Sequence, residues 1–432
     1  MPHMKATSLQ IGRAGLLLFL LLAFSSQSRG SADGGSPDTA PADVAPSLAL
    51  RLSKAIADGR LMLEIRPRYN LIHESAKPER TKAWTYRATL GWQTAPFHDF
   101  RLTAQAIHTD IVGPHTLNDD PAKFFTSEYP LLPDPRGTGV NQLFVDYAGI
   151  ASSRARIGRQ ILRIDDQRFI SDVDFRQTPQ VFDGVTVINN DLPNTEIQVG
   201  EYRRMRNVIG VGARLRLSIL HLAWNPAQDH SVSAYGFWHN APATGAQTGF
   251  ANNAQRIAGI RAEGMIRAGD SAALLYHAEW ARQQAIAGGD SRIDAKYHRF
   301  GGGFSSGQFG VRMDREVKGS NQGVYGFQTP LTDFYAFNGN ALQFTSTPVQ
   351  GLRDTWLTLK AEHQALDFFA EFHRFQSDFG HQALGREWDA NFIYTLLGNL
   401  QAKLQFARFR AGAEARYKND VDKTWLAITY KY

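Results

Sequence analysis

The chain has 432 residues, 43% of them hydrophobic and 20% charged, which is too polar for a bundle of membrane helices and too apolar for a disordered chain. It has no cysteine, so disulfides, thiolate metal sites and cysteine nucleophiles are excluded. The formal charge is +6, and of the 47 basic residues 35 are Arg and 12 are Lys, a balance that suits anionic ligands but says nothing about fold.

Lys5 and Arg13 precede an apolar stretch from Ala14 to Phe24 and the small polar run Ser25, Ser26, Gln27, Ser28. Eleven apolar residues are too few to cross a bilayer as a helix, so residues 1–28 read as a secretory signal peptide, cleaved after Ser28 or after Ala32. An uncleaved N-terminal anchor is the alternative. Residues 29–59 read as a Gly, Ser, Pro, Ala and Asp-rich unstructured leader followed by a short periplasmic helix over 46–59 that ends at Gly59. No later segment holds 18 consecutive apolar residues, so a mature chain that crosses a membrane does so with strands.

From Leu61 to Tyr432 the period is two. Leu61, Leu63 and Ile65 alternate with Met62, Glu64 and Arg66; Trp84, Tyr86, Ala88, Leu90 and Trp92 alternate with Thr85, Arg87 and Thr89; Leu357, Leu359 and Ala361 alternate with Thr358, Lys360 and Glu362. About 18 such segments begin near 61, 82, 101, 140, 153, 181, 195, 212, 230, 255, 271, 291, 307, 352, 366, 387, 400 and 422. Short connections (94–99, 149–152, 189–194, 267–270, the turn near Gln364, Gly398-Asn399) alternate with longer ones (111–139, 163–180, 240–254, 319–351, 376–386). The last strand carries Leu426, Ile428, Tyr430 and Tyr432 at every second position and stops on an aromatic.

This pattern predicts an all-β protein: an antiparallel transmembrane β-barrel of about 18 strands over 60–432, with long extracellular loops and short periplasmic turns. In such a barrel the apolar faces turn to lipid and the polar faces line the lumen. The expected inward set is then Arg66, Arg68, Arg87, Arg101, Arg154, Arg156, Arg214, Arg216, Lys360 and Lys403, with Glu64 as the one acid among them. Cationic rings in a water-filled pore favour anions, and a guanidinium can grip a carboxylate with two hydrogen bonds. The competing reading is that these cations pair with Asp and Glu and only brace the wall.

The segment 158–184, GRQILRIDDQRFISDVDFRQTPQVFDG, resembles the alginate-export family of outer-membrane porins. The match falls on Gly158, Arg159, Gln160, Asp166, Gln167, Arg168, Phe169, Arg176, Gln177, Phe182 and Asp183. YPLLPDPRGTGVNQLFVDY at 129–147 and TPLTDFYAFNGNALQF at 329–344, with Thr347-Pro348 and Gly351-Leu352 after it, are similar to further segments of that family. The resemblance implies an 18-stranded monomeric barrel whose arginine-lined pore passes an anionic polymer such as alginate, without cofactor or covalent chemistry. Residues 158–184 start as a strand and leave the strand pattern near Asp165. This loop is expected to fold into the mouth and narrow it, with Arg159, Arg168 and Arg176 setting selectivity and Asp183 beside them. A loop of ion pairs closed on itself is the alternative.

The expected partners are outer-membrane lipid and lipopolysaccharide, the barrel assembly machinery through the strand ending at Tyr432, an anionic polysaccharide or small anion as solute, and periplasmic polysaccharide-secretion proteins. Nucleic acid is excluded by the export signal. An uptake porin for small organic acids or oligosaccharides is the second reading. An outer-membrane enzyme is a third: His277 with Glu279, and Glu371 with His373, sit two apart on one strand face and suit a metal or acid–base site. A hydrogen-bonded wall pair is the simpler reading of each, no catalytic motif occurs, and no catalytic, metal or cofactor residues are expected. Gly301-Gly302-Gly303 reads as a bend. An adhesin is a fourth reading, which needs ordered outer loops without an open pore.

Overall fold

The computed structural model describes residues 47–243, 249–414 and 419–432. The expected signal peptide over 1–28 and the leader over 29–46 lie outside the described residues. The predicted short helix is α1 (Leu48–Ala57). It lies against the barrel end: the Trp92 indole donates to the Ile56 carbonyl at 2.9 Å, and the Ala95 amide to the Ala55 carbonyl at 2.9 Å.

Eighteen long strands follow. The first six are β1 (Arg60–Glu74), β2 (Thr81–Gln93), β3 (Phe100–Thr116), β4 (Gly137–Tyr147), β5 (Ser153–Gln160) and β6 (Val181–Asn189). The next six are β7 (Thr195–Arg206), β8 (Gly212–Ala227), β9 (His230–His239), β10 (Gln255–Ala268), β11 (Ala272–Ala285) and β12 (Asp294–Ser306). The last six are β13 (Phe309–Lys318), β14 (Leu352–His363), β15 (Leu366–Gln376), β16 (Ala383–Leu397), β17 (Leu400–Ala411) and β18 (Val421–Lys431). Each strand pairs antiparallel with its chain neighbours, and β1 pairs with β18 from Glu64↔Lys431 to Glu74↔Val421. That last ladder closes the sheet and leaves it no edge. Every predicted strand start falls within four residues of an observed one.

Connections alternate in length. At the end that holds the C-terminus they run from two residues (228–229, 307–308, 364–365, 398–399) to six (94–99). At the opposite end they run from five (207–211) to 33 (319–351). The inversion of faces is observed: Trp84, Leu359 and Phe392 are 44%, 49% and 37% exposed on the outer wall, whereas Arg66 and Arg87 are 8% and 2% exposed within. The Gly301–Gly303 run is not a bend but lies inside β12, where a Cβ on Gly301 would strike the Asp314 carboxylate of β13.

Near the long-loop end, however, the inner wall is not polar. Leu215, Leu217 and Ile219 of β8, Tyr235 and Phe237 of β9, and Tyr297 of β12 face inward and are buried by two loops, through Phe169 and Phe327. A second cluster packs Tyr335 and Phe344 of the 319–351 loop onto Phe375, Phe409 and Trp425. A third seats Leu117 and Leu132 of the 117–136 loop on Ile72, Ala83 and Ile111. Three loops therefore carry their own apolar cores into the lumen. Contacts of this kind hold a loop at depth in a barrel, because hydrogen bonds alone are exchanged against water at little net gain.

The outer wall gives a direct test. Leu357 lies mid-strand in β14, is 40% exposed and stands beside Met313 and Phe372. Leu357→Arg is expected to cost about 2–4 kcal/mol of barrel stability in a bilayer, seen as a shift of the urea unfolding midpoint in liposomes. Thr358→Arg, on the lumen face of the same strand, is expected to shift it much less.

Candidate solute pathway and its charged lining

A cavity of about 640 Å³ opens inside the barrel at the short-turn end, beside Gly398 and Asn399. Its walls carry Lys403, Gln405, Asn391 and Glu371, and its far end is formed by Arg66, Arg68, Asp174 and Phe175. A smaller cavity of about 150 Å³ is lined by Arg154, Arg156, Gln160 and Arg163.

The strands place these groups by parity. Arg66 and Arg68 alternate with Ile65, which is exposed outside, and Arg87 alternates with Trp84 and Tyr86 in the neighbouring strand. Gln177 and the carbonyls of 174–176 meet them from the loop. Arg66 donates to the Gln177 Oε1 at 3.2 Å and to the Asp174 carbonyl at 2.8 Å, and it also reaches the Phe175 and Arg176 carbonyls. Arg68 donates to the Phe175 carbonyl at 2.6 Å and pairs with Asp134 of the 117–136 loop. Arg87 bridges Glu64 and Asp174, the latter at 2.7 Å. These three guanidinium groups thus clamp the 161–180 loop to the wall. Five N–H donors in a fixed fork suit that work better than an ammonium does.

The loop carboxylates answer to the clamp. Burial alone would raise Asp174, but Arg87 and Arg66 outweigh it and hold the carboxyl below the usual range. Burial likewise opposes, and Arg68 and Arg176 overcome, the shift at Asp134. Stability from both groups is present above the ordinary carboxylate value of 3.8 and is lost as pH falls through their depressed folded values. Asp172 moves the other way. Burial raises it despite its two hydrogen bonds from Arg163, at 2.9 and 2.6 Å. Its protonation in mild acid favours the folded loop. Single-channel conductance is therefore expected to stay level from pH 7 down to about pH 4.5 and to change only below the ordinary carboxylate range.

Arg168 is not a pore-facing group. It is 2% exposed, donates to both carboxylate oxygens of Glu316 at 2.6 and 2.8 Å, and adds Thr332 and Asn338. It joins the 161–180 loop, β13 and the 319–351 loop. The pair runs to the wall and to a second loop, so at this residue the loop does not close on itself. Arg156 is bidentate to Asp146 at 2.7 and 2.9 Å and lies 3.8 Å over the Phe144 ring, and Lys360 pairs with Glu362.

Four predicted residues lie on the wrong side. Arg159 and Asp183 pair at 2.7 and 2.8 Å across β5 and β6, on the same face as Leu143, Ile157 and Val185, which are exposed on the outer wall. Arg214 and Arg216 also face outward, because Leu215 and Leu217 between them occupy the inner wall.

Apart from the outward-facing Arg214 and Arg216, four predicted cations make no side-chain ion pair or hydrogen bond among the described residues: Arg101, Arg154, Arg176 and Lys403. Lys403 lines the larger cavity and Arg154 the smaller one. Arg176 lies 5.8 Å from the Phe175 ring centroid, and burial followed by the facing Arg68 lowers its pKa, with Asp134 pulling it up. The sequence reading missed Arg261, which is 5% exposed and paired with Glu263 and Asp166, and Arg299, which bridges Asp166 and Asp314 at 2.9 and 3.3 Å. Their parity against the exposed Ile260 and Phe300 was the available signal. His277 and Glu279 form a wall pair at 3.6 Å, with Tyr235 donating to Glu279 at 2.7 Å.

A closed barrel of 18 antiparallel strands, apolar outside, with short turns at one end and long infolded loops at the other, is the fold of outer-membrane porins. Residues 130–314 match the model of the family described as alginate export. That span contains the 158–184 block, so the resemblance read there stands, while the segment at 329–344 falls beyond it. Similar solved structures include Pseudomonas aeruginosa OccK7 (OpdD), with a TM-score of 0.63 and 17% identity over 87% of this chain and 99% of that one. Pseudomonas aeruginosa OpdK with vanillate gives 0.64 and 16% over 87% and 99%. Acinetobacter baumannii OccAB2 gives 0.65 and 12% over 88% and 99%. At these identities the likeness is one of fold. No curated protein matches the chain.

Proposed function

We propose that this chain is an outer-membrane channel for anionic solutes, polyuronates such as alginate in the first place. The observation that carries this reading is Lys403, an ammonium without a partner among the described residues, on the wall of the 640 Å³ cavity that ends on Arg66 and Arg68. An anion entering from the short-turn end meets free positive charge before it meets the loops. Arg154 repeats the arrangement in the smaller cavity. A site that attracts without gripping suits conduction, since a tightly paired anion would not leave. The outward arginines near the long-loop end, Arg214 and Arg216 among them, suit contact with the anionic headgroups of lipopolysaccharide.

Uptake of a small aromatic acid is the second reading. It is favoured by the cavity's aromatic end, where Phe175 stacks on Tyr335 at 3.4 Å and 8°. OpdK, a fold relative, was crystallised with vanillate. Current through single channels in a planar bilayer separates the two. Concentration-dependent block by oligouronates, absent with neutral oligosaccharides of equal length, is expected for the first. Block by vanillate at lower concentration than by any oligouronate would favour the second. No conductance at all would defeat both.

A further inference from the structure

Glu371 of β15 stands directly opposite Asp389 of β16, and His373 stands opposite Glu387, all on the lumen face. Like charges facing each other across a ladder destabilise it unless a proton or a cation lies between them. The ion pairs of Glu371 and Asp389 run to one imidazole alone among the described residues.

That imidazole is held unusually firmly. Trp356 stacks on it with centroids 5.6 Å apart and planes at 17°, and Phe375 at 5.5 Å and 9°. Its Nδ1 lies 3.0 Å from both carboxylate oxygens of Asp354. This contact assigns the proton to Nδ1 and leaves the Nε2 lone pair free. Nε2 is buried without a hydrogen-bond partner in a residue only 3% exposed. It points at Glu371 Oε2, 3.8 Å away, and at Asp389 Oδ2, 3.7 Å away. Both gaps are too long for a hydrogen bond, so an imidazolium would satisfy neither acceptor. Asp389 Oδ1 and Glu387 Oε2 are also buried without partners. Glu371 opens onto the larger cavity.

We propose that Glu371, His373 and Asp389 bind one divalent transition-metal ion of the zinc type, with a fourth position open to water from the cavity. The three candidate ligand atoms lie within 4.8 Å of one another. Neighbouring ligands of a tetrahedral ion with bonds of about 2.0–2.2 Å stand roughly 3.4 Å apart, so the contacts of His373, at 3.8 and 3.7 Å, close by a few tenths of an ångström, whereas the two carboxylate oxygens, within 4.8 Å of each other, close by up to about 1.4 Å. Asp354 then acts as the partner that orients a ligating histidine through its other nitrogen. The ion cancels the repulsion between Glu371 and Asp389. It also stiffens the 319–351 loop, because the Asn340 amide donates to Asp389 at 3.2 Å and the Ala341 amide to Glu387 at 2.5 Å. This site is independent of which solute the channel carries.

The test is titration of the full barrel, refolded in detergent and stripped with chelator, followed by calorimetry with Zn²⁺ and by the visible absorption of Co²⁺. The expected result is one saturable Zn²⁺ site and the intense bands of four-coordinate Co²⁺. Both are lost in His373→Ala and in Glu371→Gln, and Asp354→Asn weakens affinity by roughly 10–100-fold. Glu371 is the least buried ligand, so its variant is expected to fold even where His373→Ala does not, with heat-modifiable mobility reporting folding. Absence of a saturable Zn²⁺ site in the wild type, undiminished affinity in folded Glu371→Gln, or tighter binding of Ca²⁺ than of Zn²⁺ would each overturn the proposal.

Discussion

Arg168→Ala is expected to release the 161–180 loop from the lumen. The substitution removes both hydrogen bonds to Glu316, a carboxylate that is 1% exposed, and the contacts to Thr332 and Asn338. Tyr297 at 2.9 Å and Asn338 at 2.7 Å remain on Glu316, but neither carries a compensating charge. Breaking a buried pair by deleting one partner costs about 3–5 kcal/mol, because the other charge stays behind in low dielectric. The cost falls on a loop that is also held by the Arg66, Arg68 and Arg87 clamp, by Asp166 against Arg261 and Arg299, by Asp165 against His221, and by Phe169 among its aromatic neighbours. Larger and noisier single-channel conductance is expected, with faster proteolysis within 161–180. Replacing both partners, as in Arg168→Met with Glu316→Leu, is expected to restore part of the anchoring, since neither member of the pair is then left behind without the other. Wild-type conductance and proteolysis in folded Arg168→Ala would show that the aromatic contacts hold the loop without the ion pair.

Lys403→Glu is expected to lower the preference for anions over cations more than any change at the paired arginines. At about 6 Å in water a unit charge is worth about 0.7 kcal/mol, so exchanging plus for minus changes a passing anion's energy by about 1.4 kcal/mol, or about tenfold in partitioning. The reversal potential under a salt gradient reads this directly, and the shift is expected to shrink at high ionic strength. Arg66, Arg68 and Arg87 already spend their charge on carboxylates and loop carbonyls. Replacing them is expected to act through the loop instead, changing conductance more than selectivity. An unchanged reversal potential in Lys403→Glu would place the selective part of the path elsewhere, with Arg154 and Arg176 the next cations to reverse.

The barrel was legible because its signal is repeated. The alternation of apolar and polar residues, strand after strand, together with connections of two lengths, places all 18 strands. The lining was legible only in part. Arg66, Arg68 and Arg87 are inside as parity with Ile65 and Trp84 implies, but their partners Asp134, Asp174 and Gln177 lie 66 to 111 residues away in sequence and come from two loops. The sequence showed ten inward cations against one acid. The structure supplies Asp134, Asp146 and Asp174 to meet Arg68, Arg156 and Arg87, two of these acids from loops that no local pattern connects. The few cations left without partners, Lys403 above all, were not distinguishable from the others before those partnerships were known.

By itself the sequence determined how many strands there are, where they begin, and which side chains share a face, since a period of two assigns every residue to one of two sets. Which set faces the water only the tertiary structure decided. Along most of the wall the apolar set faces outward. Near the long-loop end three loops bring their own apolar cores inside and take it there instead, so Leu215 and Leu217 turn inward and Arg214 and Arg216 outward. The physical reason is that burial rewards apolar surface wherever it leaves water, and an infolded loop removes it from water as well as lipid does.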